Sequence, residues 1–359
     1  MVVIAVDARF YGSENTGLGR YTQNVLNYLP QYLQGYTLKV LLRKKYFDTL
    51  TFPKNVEKVL CDIPHYSLAE QLWLPQYLSP KTYDLLYTFH FNVPVLSTIP
   101  TVVTIHDLIK TYSKGADTTT RAPWLYTLKR WGYDLAMHRA VTASRAIIVP
   151  TNTVKNDILA AYPTTPPERI HPIPEAPDEI FRNLKSLNCT LKIPTNKYLL
   201  FVGNAYPHKN LALLFEALAS LPAYDLVVVA KETPYLSKLL APLSPAIRAR
   251  IHLFSGLSDK ELAFVYSHAV ALVTPSLMEG YGLVGLEAMM VGTPVVASNI
   301  PVYREVYGDR ATFFDPHSVA SLVAALKLPK LPKLPKLPRT WSDVAHEIAE
   351  VLRENSPSL

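Results

Sequence analysis

Short runs of β-branched and apolar residues alternate with amphipathic segments along almost the whole of this chain, and that alternation limits the folds open to it. Val2–Val6, Leu38–Leu42, Asp84–Thr88, Thr101–Ile105 and Ala146–Val149 read as strands, with a helix over Gly19–Leu29. After a proline-rich stretch the pattern restarts with strand Tyr198–Val202, helix Leu211–Leu221 and strand Asp225–Ala230. It continues through strand Ile251–Phe254, helix Asp259–His268, strand Ala271–Thr274, a helix from about Gly282 and strand Thr293–Ala297. Strand, helix, strand repeated in this way builds a parallel sheet with helices on both faces. The restart predicts two such sheets, and 359 residues exceed what one core usually serves.

The fold class expected is therefore α/β, with two Rossmann-like, doubly wound lobes facing each other across a cleft. Residues 1–172 form the first lobe. Residues 173–196, with Pro174, Pro177 and Pro194 and no apolar period, form a hinge, and 197–326 form the second lobe. Residues 327–338 are Lys-Leu-Pro four times over, where proline at every third place enforces polyproline II extending over roughly 37 Å. Residues 339–359 supply a last helix, with Trp341, Val344, Ile348 and Leu352 at helical spacing to pack back on the first lobe.

Cys61 and Cys189 stand far apart in no metal-ligand spacing, which argues against a disulfide framework. The opening MVVIAVDARF breaks its apolar run at Asp7, too early for a leader or a spanning helix, so a cytoplasmic protein is expected. Residues 1–170 hold 18 Lys and Arg against 12 Asp and Glu, whereas 171–359 hold 18 against 17. A basic first half suits a phosphate-bearing substrate, an anionic membrane surface or a nucleic acid, or is simply a solvated face.

Four segments carry candidate chemistry. In Pro275–Ser298 a glycine loop joins a strand to a helix, whose unpaired N–H groups favour an anion. Gly280 and Gly282 would let the backbone approach a ligand, and Glu279 and Glu287 can each accept bonds from vicinal hydroxyls. Leu283, Leu286 and Met290 are expected on the buried face of that helix. In Phe201–Leu211, His208 and Lys209 precede a helix at a strand end, where an ammonium reaches a diphosphate. Gly12–Tyr21 follows the first strand as a glycine loop. It lacks both the third glycine of a dinucleotide fingerprint and the acidic residue about twenty positions on, which disfavours nicotinamide. Thr101–Leu108 brings His106 and Asp107 to a carboxyl edge, where a histidine can bond a hydroxyl or move a proton. No histidine, cysteine or carboxylate spacing supports a metal.

These segments, in this order, resemble the retaining glycosyltransferases of family 4, also called group 1, with the two-lobed GT-B fold. The resemblance takes in Gly17-Leu18-Gly19-Arg20-Tyr21, Glu70-Gln71, Tyr87–Pro94, Ile105-His106-Asp107-Leu108, Pro174-Glu175-Ala176-Pro177-Asp178 and Phe201-Val202-Gly203. Its most specific part is Glu279 to Glu287, the family's Glu-x7-Glu pattern. The resemblance implies that Lys209 contacts the donor diphosphate, Glu279 the transferred sugar and Glu287 the ribose, with His106 beside the reacting carbon. It puts Gly17, Gly19, Gly203, His208, Gly280, Tyr281, Gly282 and Leu283 around the donor, and Arg20, Asn92 and Asp107 on the acceptor side. His208 stands where relatives often have arginine. It further implies a hexose taken with retention and without metal or other cofactor from a nucleotide-sugar. GDP-mannose is the first choice of donor and a UDP-sugar the second. A glycan or lipid-linked glycan at the inner membrane face is the acceptor expected, with no nucleic acid partner. The competing expectation is a non-catalytic two-lobed binding protein for nucleotides, sugars or nucleic acid, favoured by the basic first half. A nucleotide-sugar epimerase or dehydrogenase would need a complete fingerprint and a Tyr-x-x-x-Lys pair.

Overall fold

Apolar strands that must be covered on both faces set the architecture, and the computed structural model describes it for residues 1–112, 123–181, 189–327 and 339–358. The chain divides into two compact units, one of Met1–Thr111, Arg121–Glu175 and Trp341–Leu359, the other built mainly of Ala176–Thr340. In the first unit the strands are β1 (Val3–Asp7), β2 (Thr37–Leu42), β3 (Val56–Leu60), β4 (Leu85–Thr88), β5 (Thr101–Thr104), β6 (Ala146–Val149) and β7 (Ile170–Pro172). They form one sheet in the order β3-β2-β1-β4-β5-β6-β7, and every pairing is parallel. β4, β5 and β6 are buried throughout, whereas edge strand β3 is not.

The second unit holds β8 (Tyr198–Val202), β9 (Asp225–Val229), β10 (Ile251–Phe254), β11 (Ala271–Thr274), β12 (Val295–Ser298) and β13 (Thr312–Phe314). Their order is β10-β9-β8-β11-β12-β13, again all parallel. Each sheet reverses its winding once, between β1 and β4 and between β8 and β11. The loops leaving those strands at their carboxyl ends are where ligands bind in such sheets.

The Trp341–Asn355 helix belongs to the first unit and lies along the Thr16–Tyr32 helix. Its Trp341, Val344, Ile348 and Leu352 are buried, as their spacing predicts. The Tyr32 and Ser342 hydroxyls meet at 2.7 Å, and the Trp341 ring meets the edge of Tyr21.

Several expectations are corrected. Strands β3, β7 and β13 were not foreseen, and β5 stops at Thr104, short of His106. Lys327 closes the Val319–Lys327 helix instead of opening an extended run, because only the residue before a proline is pushed out of the helical region and Pro329 is two places on. The remainder of the Lys-Leu-Pro run, 328–338, and the middle of the expected hinge, 182–188, lie outside the described residues. Among those described, no helix is long and apolar enough to cross a membrane.

Candidate functional site

In the second unit, two loops from the reversal point are fastened together. β8 is followed by Gly203, at φ 137°, and by a single 3-10 turn, Pro207–Lys209. Asn210 then takes the left-handed conformation, held by its side-chain amide donating to the Pro316 carbonyl at 2.9 Å, and starts the Leu211–Ala219 helix. The turn's His208 carbonyl accepts from the Leu277 N–H at 2.7 Å, in the loop leaving β11. This clasp brings Lys209 Nζ to 2.5 Å from Glu279 Oε1.

The same Glu279 oxygen accepts from Ser276 Oγ at 2.7 Å and from the Tyr303 hydroxyl at 3.1 Å, while Oε2 takes none of these bonds. Burial by itself would raise the Glu279 pKa. The charge and hydrogen bond of Lys209, the Ser276 hydroxyl and the charge of His208 outweigh it and hold the carboxyl below its ordinary value. Glu279 is thus an ionised acceptor at neutral pH, fixed through one oxygen. The His208 ring stacks on Tyr206.

Glu287 sits on the Leu283–Met290 helix, buried, with Oε2 accepting from the Tyr266 hydroxyl at 3.0 Å. Burial first, then Glu279, and further down Glu287, raise the pKa of the Tyr307 hydroxyl, so one phenol lies within electrostatic reach of both glutamates. That hydroxyl donates to the Gly282 carbonyl at 2.6 Å.

Gly282, at φ 100°, caps the helix in a conformation that suits glycine. A Cβ there would stand 2.5 Å from Tyr307 Oη and 2.6 Å from the Tyr303 ring. The room that Gly282 was expected to leave for a ligand is, on that side, filled by the stacked Tyr303 and Tyr307 rings. The buried face of the helix is corrected in part. Leu286 and Met290 are half-buried and pack against the core as expected and Leu283 is half-buried, but the fully buried positions are Gly285, Glu287, Ala288 and Met289, with Gly285 pressed against Tyr307. Gly280 is buried and Tyr281 half-buried between Glu279 and this helix.

In the first unit the candidates are more dispersed. Gly17 lies exposed in the first turn of the Thr16–Tyr32 helix, with open space where a Cβ would be. Gly19 is buried, and a Cβ there would meet the Gly12 carbonyl oxygen at 1.9 Å. Gly19 therefore closes the strand–helix turn, and of the two only Gly17 has open space beside it. Arg20 is half-buried on the same helix. Asn92 is buried and donates to Glu70 Oε2. Glu70 also accepts from the Tyr66 N–H and, through Oε1, from Arg9 Nη2 at 2.8 Å. Arg9 in turn binds both oxygens of Asp7, at 2.7 and 2.6 Å. This closed network was missed, since Asp7, Arg9, Glu70 and Asn92 are scattered along the sequence.

His106 has acceptors on both ring nitrogens. Nδ1 lies 3.2 Å from Glu175 Oε1 and Nε2 lies 3.0 Å from the Phe89 carbonyl. The ring donates both bonds only when both nitrogens carry protons. Burial lowers the His106 pKa, but the Glu175 hydrogen bond and charge outweigh it, and the net shift is upward. No ring nitrogen is left for a sugar hydroxyl while these bonds stand. Asp107 accepts the Ile109 N–H at 2.9 Å, closing a short turn. Among the described residues no group of three or more His, Cys, Asp or Glu could hold a metal ion.

Comparison with known proteins adds the family context. The model "Glycosyltransferase Family 4" matches residues 15–179 and "Glycosyl transferases group 1" matches 188–347, so the two together span most of the chain. The O-antigen chain mannosyltransferase RfbU of Salmonella typhimurium is 26% identical over 68% of this chain and 64% of its own length. The MMP alpha-(1->4)-mannosyltransferase of Mycolicibacterium hassiacum is 30% identical over 63% of this chain and 56% of its own length. The matched stretch thus spans less than two thirds of either relative. Among solved structures, WaaG, a glycosyltransferase involved in lipopolysaccharide biosynthesis, aligns over 100% of this chain and 96% of its own at TM-score 0.64 and 19% identity. HepE of Anabaena, in complex with UDP and glucose, aligns over 99% and 97% at TM-score 0.66 and 18% identity. At such identities the likeness speaks for the fold alone, and that fold is GT-B.

Proposed function

We propose a function from the premise that the chain belongs to the group 1 glycosyltransferases with a family 4 N-terminal half: it transfers a hexose, with retention, from a nucleotide-sugar to a glycan or lipid-linked glycan. Mannose is the hexose that the relatives named as mannosyltransferases favour, and GDP-mannose is the donor we put first. The observation that carries the proposal is the Lys209–Glu279 pair, seated at a sheet reversal with its carboxylate held ionised.

In this reading a bound donor divides the pair. The ammonium turns to the diphosphate, and Glu279 keeps its Ser276 and Tyr303 bonds while its other oxygen accepts from a sugar hydroxyl. Glu287, buried with Tyr266 behind it, takes the ribose hydroxyls. As the bond from the anomeric carbon to the diphosphate breaks, negative charge grows on the leaving group. Lys209 and the N–H groups at the start of the Leu283–Met290 helix stabilise it without a metal, each such group being worth about 3–4 kcal/mol. The acceptor hydroxyl bonds to the anomeric carbon from the face the diphosphate leaves, and its proton passes to a phosphate oxygen. On the first unit, Gly17, Arg20 and Asp107 are proposed to meet ligands, whereas His106 can do so only by exchanging its Phe89 or Glu175 bond. Work at the inner face of a membrane, with a peripheral attachment, completes the proposal.

The test is transfer from GDP-mannose and from UDP-sugars, with Glu279→Ala and Lys209→Ala measured beside the parent. Each substitution should lower turnover at least ~100-fold in a folded protein, and near-normal turnover in both would end the assignment. A thermal-shift screen across GDP-, UDP-, ADP- and dTDP-sugars identifies the donor, because a specific ligand raises the midpoint by mass action.

A further inference from the structure

A ligand that divides the Lys209–Glu279 pair leaves the carboxylate in need of another hold. Glu279 Oε1 accepts from Lys209 Nζ at 2.5 Å, Ser276 Oγ at 2.7 Å and the Tyr303 hydroxyl at 3.1 Å. When the ammonium turns to a diphosphate, the carboxylate loses its cation and faces the charge that took it. Like charges a few ångströms apart repel, and burial already disfavours the ionised form of Glu279. Unless neutral donors hold it, the carboxylate swings away or takes up a proton.

Two such donors are present, and they differ in where they stand. Ser276 is three places from Glu279 on the same loop, so it gives that loop no anchor outside itself. Tyr303 reaches in from the Pro301–Tyr307 helix, which follows β12. It is fixed there on several sides. Its side chain is fully buried, its ring stacks on Tyr307 at 4.9 Å, and its hydroxyl meets Thr274 Oγ1 at 2.5 Å. Ionised Glu279 can only accept, so the phenol proton goes to the carboxylate and the Thr274 hydroxyl donates to the phenol oxygen. The chain of bonds therefore runs from Thr274, the last residue of β11, through Tyr303 to Glu279. Burial first, then the charge of Glu279, raise the Tyr303 pKa well above its ordinary value, and the phenol keeps its proton.

Tyr307, one turn further along the same helix, grips the other end of the loop. Its hydroxyl donates to the Gly282 carbonyl at 2.6 Å. The two phenols thus fasten Glu279 by its side chain and Gly282 by its backbone, and Glu279 Oε2 stays outside their bonds.

We propose that Tyr303 is a positioning residue for transfer: with Lys209 drawn to the diphosphate, its phenol keeps Glu279 Oε1 in place and so presents Oε2 to a hydroxyl of the transferred sugar. The proposal rests on the transferase reading of the Lys209–Glu279 pair and adds what holds that carboxylate once the donor is bound.

The test is a double-mutant cycle in the full chain, followed by release of the nucleoside diphosphate from GDP-mannose and from UDP-glucose. Tyr303→Phe removes the hydroxyl and keeps the ring on Tyr307. It should lower kcat ~10-fold or more at an unchanged thermal midpoint, because a hydrogen bond to a charged group is lost. The donor KM should change less than ~3-fold, since Lys209 is untouched. In a Glu279→Ala background the same substitution should change kcat less than ~2-fold, because the group it acts through is gone. Should the single variant lose its midpoint by leaving Thr274 unpaired, Tyr303→Phe with Thr274→Val removes both partners of that bond and should give the same kinetic pattern.

A kcat of Tyr303→Phe within ~2-fold of the parent overturns the proposal. So does an equal loss in the Glu279→Ala background, which would put the action of the phenol elsewhere, and so does a loss expressed in KM alone. A parent that releases the diphosphate from neither donor removes the transferase reading and the proposal with it, whereas an active parent beside an unaffected Tyr303→Phe removes the proposal alone.

Discussion

The two units bury charge at the carboxyl ends of their sheets in opposite ways. In the first, Arg9, Asp7 and Glu70 close on one another, with side-chain exposures of 0%, 6% and 0%. Burial pushes the Asp7 and Glu70 carboxyls up. Arg9 overcomes that for Asp7, which it binds through two nitrogens, but not for Glu70, which stays above its ordinary value. In the second unit, Lys209 and Glu279 retain 24% and 11% exposure, and their bond uses only one carboxylate oxygen. A closed network has nothing left to offer a ligand, whereas a pair that water can reach is one that a ligand can divide. On the proposed function, the difference separates charge that holds a fold from charge that meets a substrate.

The sharpest way to break this comparison is to remove one cation from each. Arg9→Ala leaves two carboxylates buried without a counter-charge and should cost about 3–5 kcal/mol in denaturant unfolding. Lys209→Ala breaks a partly exposed pair and should cost about 1 kcal/mol or less while abolishing most turnover. Similar losses of stability in the two variants would mean that the second pair is as structural as the first.

A smaller effect is expected where the second unit's glycines meet its tyrosines. A Cβ on Gly285 would stand 2.4 Å from the Tyr307 ring. Gly285→Ala should therefore cost about 1–3 kcal/mol by overpacking. In a Tyr307→Leu background the same change should cost less, and equal costs in both backgrounds would show that the tyrosine is not what the glycine serves.

Much of this was legible in the sequence where burial leaves no choice. Ala146–Val149, Tyr198–Val202 and Ala271–Thr274 begin and end where their apolar runs do. The strands missed are at or near sheet edges: β3 is Val-Glu-Lys-Val-Leu and largely wet, while β7 and β13 have three residues each. There the pairing comes from a neighbouring strand and leaves no period to read. In the site, Lys209 and Glu279 stood out because both follow a strand and precede a helix. Tyr303 was invisible, since it reaches Glu279 across 24 positions, and Glu175 reaches His106 across 69. The most buried positions of the Leu283–Met290 helix were only partly legible for the same reason, because Tyr307, far along the chain, packs against Gly285.

The smallest expected effect compares the units by pH. The His106 pKa is raised from its ordinary 6.5, despite burial, by the Glu175 hydrogen bond and charge. A raised folded pKa contributes stability that is complete below the unfolded value and is lost as pH climbs through the folded one. His90, whose charge acts on the same region, is driven far below its ordinary value by burial and does not titrate in that window. Stability of the parent over His106→Gln should therefore be larger at about pH 5.5 than at about pH 8.5 in matched urea titrations. Glu279 behaves oppositely. Its pKa is lowered from 4.5 by Lys209 against the pull of burial, so its contribution is complete above the unfolded value and fails only in stronger acid. Glu279→Gln should then differ from the parent by the same amount at both pH values. A flat His106→Gln difference would mean that its folded and unfolded pKa values coincide, and a difference larger at about pH 8.5 would mean that His106 is held neutral with one nitrogen unprotonated. The first unit would then hold a base where the contacts to Glu175 and Phe89 require a cation.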